Sequence, residues 1–368
     1  MAIYKEVDGL KYYLELLWEE CRKEFPQNKD GLVQQYFSFE KYMNDNVHPK
    51  VNEGAAASGD GVLTDHGPEH VQMVIHNAYS LLKGNNNNML NDNHGNFDSS
   101  SHRRLNGYEI YILLLSIHFH DVGNIFGRNE HEKKIDEVMN KLGDKVPLDN
   151  AEKRMVRDIA TSHGGFSVDN PNDMDTLKSL ISHDRYSRLS VRHTLIASIL
   201  RFADELADDN SRANRFAEIG KQNILFHEYS KSLYPIEFKH NSIAFEYDIP
   251  HNLMIGKIYT SQGETYLYDE ILRRLTKCMC ELEYCRKFSD GLIFITTLNI
   301  TINVLNKDSS YNCEEKIKFD LRLSGYPDIK GVKIQTYLDK ATELKYDCGE
   351  SLKSSITAAQ NSQEAQSV

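Results

Sequence analysis

The chain has 368 residues, with 43 basic and 54 acidic side chains and a formal net charge of −11. An apolar fraction of 40%, a quarter of it aromatic, supports a packed core and excludes low-hydrophobicity disorder over most of the length. The acidic balance argues against a general nucleic-acid coat or a basic membrane-surface protein.

At about 150 residues per domain, the length predicts two domains. Tyr13, Leu14, Leu17 and Trp18 fall at helical spacing and predict a helix over 10–25. A second helix starts at Pro68 and runs to about Lys83. Beyond it, seven asparagines in thirteen residues mark a solvated loop within 84–106. Residues Tyr108 to Phe119 are apolar on every side, the signature of a central buried helix. Helices over 129–142, 151–162 and about 189–206 complete a helical domain over residues 1–225.

From 226 onward the period changes. Ile236 to His240 and Ile243 to Ile249 alternate around His240-Asn241-Ser242, which reads as a hairpin. A helix from Glu264 to Phe288 and two further alternating runs, from Leu298 and from Ile317, follow. This β-β-α-β-β order predicts a small α+β unit over 226–349, an antiparallel sheet with a helix on one face. Residues 350–368 are polar and uncapped and read as a disordered tail. The expected fold class is thus mainly α, a helical bundle followed by a small α+β unit. No run approaches the roughly 20 apolar residues that span a bilayer, and no signal peptide is visible at the N-terminus. The expectation is a cytoplasmic protein with no membrane partner.

Histidine is the unusual residue, with 15 copies, and imidazole is the commonest metal ligand. His70 lies on the stripe of Val74, Ala78 and Leu81, so its ring faces the apolar side. His120 and Asp121 close the buried helix, where an unpaired carboxylate is costly and a cation is favoured by the helix terminus. Gly123 follows, where a left-handed C′ glycine would stop the helix. His163 repeats the device before Gly164-Gly165. Asp204 shares the apolar face of Ile196 and Leu200. Any one of these has an ordinary structural explanation. Together they place imidazoles and carboxylates on helices that must pack against each other, and such mixed N/O ligands suit Mn²⁺, Fe²⁺, Co²⁺ or Zn²⁺ rather than Ca²⁺.

The order His70 … His120-Asp121 … Asp204 resembles the H…HD…D signature of HD-domain metal-dependent phosphohydrolases. The flanks agree: Thr64-Asp-His-Gly-Pro-Glu-His-Val-Gln-Met-Val is similar to the first motif, Ile117-His-Phe-His-Asp-Val-Gly-Asn to the second, and Leu200-Arg-Phe-Ala-Asp-Glu-Leu-Ala-Asp-Asp to the last. The resemblance covers about residues 60–215, and the family fold, a helical bundle, agrees with the helical reading. It implies one or two divalent metal ions (Mn, Fe, Co or Zn, with Mg as a further candidate) held by His70, His120, Asp121 and Asp204. Asp121 would bridge two ions if a second is present. His66 and His163 match positions that, in some branches, bind a second metal or act on the substrate. Asn124 stands where cyclic-dinucleotide phosphodiesterases of the HD-GYP type carry lysine, and their Gly-Tyr-Pro motif is absent. The Glu-Asp pair of (p)ppGpp hydrolases and the Gly-His-x-Pro-Phe continuation of the best-known deoxynucleotide triphosphohydrolases are absent too, so the resemblance names no subfamily.

The expected activity is hydrolysis of a nucleotide phosphate ester, with a nucleoside or deoxynucleoside triphosphate as the leading substrate. His66 or His163 would transfer the proton, and Arg185, Arg201 and Arg212 are candidates for phosphate recognition. The alternatives are a phosphodiesterase or nuclease acting on cyclic or short oligonucleotides, and a nucleotide sensor without turnover. The net charge counts against long nucleic acid as a partner. The alternating strands of the C-terminal unit offer edges that a second copy could cover.

Overall fold

The structure is a computed structural model that describes residues 31–57, 66–83, 105–164, 176–182, 184–186, 189–213, 224–260, 263–306, 309–325, 332–338 and 344–366. The helix expected over 10–25 and nearly all of the asparagine-rich loop lie outside the described residues. The chain divides into two compact units. One comprises residues 1–59, 65–207 and 284–294; the other comprises 60–64, 208–283 and 295–368.

The first unit is helical. Its elements are α1 (Leu32–Asn46), α2 (His48–Ala57), α3 (Pro68–Lys83), α4 (Gly107–Phe119), α5 (Ile135–Leu142), α6 (Asn150–Thr161) and α7 (His193–Glu205), with a short hairpin of β1 (Asp184–Tyr186) and β2 (Leu189–Val191) before α7. All thirteen residues of α4 are buried, as its uniformly apolar sequence requires. The helices α3, α6 and α7 surround it.

Two capping boxes set the ends of this bundle. Asn106 and Glu109 exchange side-chain-to-backbone hydrogen bonds of 2.9 Å at the start of α4. Asp149 and Glu152 do the same for α6, each box worth on the order of 1 kcal/mol. The Glu109 carboxylate, fully buried, also accepts from the Arg192 backbone N–H at 3.0 Å and from Arg192 Nε at 2.8 Å. This contact turns the chain at the start of α7, which is why the helix begins at His193 and not at 189. Tyr108 donates to Glu152 Oε1 at 2.7 Å and fastens α4 to α6. The helix expected over 129–142 is also shorter than its pattern suggests. A 3-10 turn, His131–Lys134, precedes α5, and Glu130, at φ 53°, breaks the helical path before it.

The second unit holds α8 (Asn210–Ala213), α9 (Ile224–Ser232), β3 (Glu237–Phe238), β4 (Ser242–Ile249), α10 (His251–Ile255), β5 (Ile258–Thr260), β6 (Gly263–Thr265), most of α11 (Leu267–Phe288), β7 (Thr297–Asn306), β8 (Ser309–Arg322) and α12 (Gly349–Gln366). The main sheet has the order β3-β4-β7-β8. The pairs β3–β4 and β7–β8 are antiparallel, but β4 and β7 run parallel, with Ser242 opposite Thr297 and Ile249 opposite Val304. The sheet is therefore mixed, where an all-antiparallel one was expected. The long connection through α11 returns the chain to the same end of the sheet, as a parallel pair demands. A tail expected to be disordered is helical instead. Leu352 and Ile356 of α12 are buried, the Gly349 N–H donates to Asp269 Oδ1 at 2.8 Å, and Tyr266 donates to Glu350 at 2.5 Å. Two apolar residues at i and i+4 anchor an otherwise polar helix. Among the described residues, no single helix is long and apolar enough to cross a membrane.

Candidate metal centre

The helical unit gathers seven chemically active side chains at the C-terminal end of α4. His120 is the residue that ends this helix, and Asp121 follows at φ −104°, ψ 0° before a 3-10 turn, Val122–Phe126. That sparsely populated backbone region recurs at active sites. His70 comes from the first turn of α3 and His66 from just before it, His163 from just beyond α6, and Asp204 from the last turn of α7. The seventh, His131, opens the 3-10 turn before α5 and was not anticipated from sequence.

Gly123 brings His131 in. It has no left-handed φ and does not terminate the helix as expected. A Cβ at this position would lie 1.8 Å from the His131 carbonyl oxygen, so only glycine lets the two backbones approach. On the other side, a Cβ on Gly54 of α2 would lie 2.3 Å from Asn124 O. The turn that follows Asp121 is clamped between two backbones. The sequence signal for His131 was the glycine, whose need for close approach is invisible without the fold.

Three overlapping groups of ligand atoms result: His66, His70 and Asp121; His70, His120 and Asp204; and Asp121, His131 and His163. No cysteine enters any of them. Around His70 and His120 the two Nε2 atoms lie 3.2 Å apart. Asp204 Oδ1 is 3.2 Å from the first and 3.4 Å from the second. Asp121 Oδ2 is 3.5 and 3.4 Å from the same two atoms. Donors that ligate a divalent ion at about 2.1 Å lie roughly 3.0–3.4 Å from one another. The observed spacing is close to that range. On the opposite side of the carboxylate, Asp121 Oδ1 is 3.2 Å from His131 Nε2 and 3.7 Å from His163 Nε2, and these two nitrogens are 3.3 Å apart.

Backbone carbonyls determine which nitrogen of each ring faces inward as a lone pair. His120 Nδ1 lies 2.6 Å from Ile117 O, His163 Nδ1 2.6 Å from Ala160 O, and His131 Nδ1 3.1 Å from Arg128 O. A carbonyl only accepts, so each Nδ1 carries the proton and each Nε2 presents a lone pair to the cluster. His131 and His163 then face each other lone pair to lone pair at 3.3 Å. That contact is repulsive unless a proton or a cation lies between the rings. His70 differs, since its Nδ1 is buried without a hydrogen bond among the described residues.

The electrostatics agree. Burial disfavours charge on Asp121 and Asp204, but His120 above all, with His66 beside the first and His70 beside the second, holds both carboxyls well below their usual range. Burial likewise opposes a charged His120, yet the Asp121 and Asp204 carboxylates outweigh it and hold that imidazole well above its ordinary value. His131 is raised too, with Asp121 overcoming burial. Two ionised carboxylates, Asp121 buried and Asp204 half-buried, thus demand positive charge, and a divalent ion supplies it without protonating the ligand nitrogens. The residues fit a divalent metal ion.

His66 stands apart. Its Nδ1 is 2.8 Å from Asp121 Oδ2, and its Nε2 is 3.1 Å from Arg128 Nη1. A guanidinium only donates, so Nε2 accepts and the His66 proton sits on Nδ1, directed at Asp121. Two of the three arginines singled out from sequence have partners of their own. Arg201 is buried and donates to Thr176 Oγ1 at 2.9 Å, and Thr176 in turn donates to Ser162 O. Arg212 is buried 4.0 Å from Asp208 in the second unit. The Arg185 side chain lies outside the described residues.

No curated protein and no solved structure matches the chain. A family model, HD-CE, matches residues 61–252, just over half of the 368 residues, and its span takes in all three sequence motifs together with His131 and His163. With the buried His/Asp cluster inside the matched span, the chain belongs to HD-CE, a family of HD-type domains.

Proposed function

We propose that the chain is a metal-dependent phosphohydrolase acting on a nucleotide phosphate ester, with a nucleoside or deoxynucleoside triphosphate as the leading substrate. The observation that carries this reading is Asp121, whose two oxygens face two separate sets of imidazole nitrogens. His70, His120, Asp204 and Asp121 Oδ2 would hold one ion. His131, His163 and Asp121 Oδ1 would hold a second, and Mn²⁺, Fe²⁺, Co²⁺ or Zn²⁺ suits this donor set. A bound divalent ion supplies Lewis acidity, polarising a phosphoryl oxygen and easing deprotonation of water.

The chain's own residues do the rest. The carbonyls of Ile117, Ala160 and Arg128 keep three imidazoles in the ligating orientation with Nε2 inward, so binding a cation requires no change of tautomer there. Asp121 and Asp204 keep negative charge at the site. His66 holds its proton at Nδ1 beside Asp121, the candidate for delivering it to a leaving oxygen. His163, with Nδ1 committed to Ala160 O, is suited to ligation more than to proton transfer.

The test is a product screen of the metal-loaded protein against nucleoside triphosphates, deoxynucleoside triphosphates and cyclic dinucleotides. Nucleoside plus intact triphosphate supports the leading reading, and linear phosphate products from a cyclic substrate support a phosphodiesterase. Asp121→Ala is expected to abolish both turnover and bound metal. Full activity with stoichiometric metal in that variant would remove the site from consideration.

A further inference from the structure

A metal cluster of this kind polarises one phosphoryl group, but a polyanionic substrate also needs a fixed cation for its remaining charge. Of the arginines expected from sequence for that task, Arg201 is buried and bonded to Thr176, and Arg212 is buried beside Asp208. A different arginine is placed for it.

We propose that Arg128 is the phosphate-recognising residue of this site, an inference that rests on the phosphohydrolase reading above. Its side chain is exposed, yet its Nη1 lies 3.1 Å from Nε2 of the buried His66. The other nitrogen of that imidazole is in contact with Asp121 Oδ2. The guanidinium therefore stands at the solvent side of the cluster, one imidazole ring away from the carboxylate that both ligand sets share. Its backbone is fixed as well. The Arg128 carbonyl orients His131 at 3.1 Å, and the residue lies between Gly127 at φ 96° and Glu130 at φ 53°. Left-handed backbone at a non-glycine residue is a strain retained where surrounding structure demands it. Here it accompanies a short segment in which one residue touches two histidines of the cluster, with its carbonyl on His131 and its side chain on His66.

The chemistry suits a phosphate. A guanidinium is always charged and presents paired N–H donors that match two phosphate oxygens, which a lysine cannot reproduce. Placed beside the cluster, it meets the phosphate next to the one being cleaved, and so favours di- and triphosphates over monoesters. The neutral His66 nitrogen it touches is a weaker partner than a phosphate oxyanion.

The test uses the full-length, metal-loaded protein and the best substrate from the screen. Arg128→Ala is expected to raise KM at least tenfold and to weaken competitive inhibition by inorganic phosphate and by pyrophosphate by a similar factor. Arg128→Lys should recover part of both, and bound metal and thermal midpoint should stay at wild-type values in each variant. Unchanged KM and unchanged phosphate inhibition would overturn the assignment. So would a loss of affinity that follows a loss of metal, because the role would then be structural. If the wild type turns over no phosphate ester, the functional reading has failed on its own. Calorimetric titration of metal-loaded wild type and Arg128→Ala with pyrophosphate still decides on Arg128: equal affinities refute it, and a tenfold difference sustains it.

Discussion

His118 lies two residues before His120 on α4, yet faces the opposite environment. It stacks on His48 with ring centroids 5.3 Å apart, its Nδ1 is 3.0 Å from His48 Nε2, and its Nε2 is 3.1 Å from the Tyr36 hydroxyl. Among the described residues no carboxylate compensates it. Burial, with the charge of His120, pushes His118 down to about 3, and burial, then His118, lowers His48 as well. Both are neutral in the folded protein at pH values where an unfolded chain would protonate them. At these two sites the unfolded state therefore binds more protons below about pH 6.5, and their contribution lowers stability as pH drops through that value. Between pH 7 and 5, His118 alone contributes a loss on the order of 2 kcal/mol. Urea denaturation of the metal-free protein at the two pH values measures it. His118→Gln, which cannot titrate, should flatten that slope, and an equal slope in the variant would mean that folded His118 takes up the proton. At this scale the sequence was informative where a histidine or aspartate ended an all-apolar helix. It was silent on His131, which sits in His131-Glu132-Lys133-Lys134 and reads as part of a charged surface.

Between residue and fold stands the turn Val122–Phe126. It has no periodicity to announce it, yet it carries the chain from His120 and Asp121 toward Arg128 and His131. Gly123 and Gly54 allow it to be gripped from both sides. Gly123→Ala would force the His131 carbonyl away and, with it, the ring that faces Asp121 Oδ1. The expected result is about 1–3 kcal/mol of lost stability and a drop in bound metal, with His70, His120 and Asp204 left in place. Metal analysis alongside a denaturation midpoint checks both effects, and a variant with wild-type values of each would mean that the turn has slack. Helices with one strong pattern were legible to within a residue or two, as α3, α4 and α6 illustrate. Elements that were misread had their direction set from a distance. Arg192 turns into α7 because Glu109 captures it, and β4 pairs parallel with β7 because α11 intervenes.

For the whole molecule, the family match and the fold have different boundaries. The match ends at residue 252, just after β4, while the strand that pairs with β4 along its full length begins at Thr297. A fragment of residues 61–252 would keep all seven residues of the His/Asp cluster but leave Ile243, Phe245, Tyr247 and Ile249 on a strand without its main neighbour. Such a strand is a template for self-association. The fragment should be recovered as aggregate on size-exclusion chromatography, whereas a monodisperse, metal-binding fragment would show the sheet to be dispensable.

The same parallel pairing has a temporal side. About fifty residues separate the end of β4 from the start of β7. At roughly 5–20 residues per second, a ribosome needs about 3–10 s to make them. Throughout that interval the nascent chain carries β4 with one long edge unpaired, so the sheet is completed only after every candidate metal ligand has been synthesised.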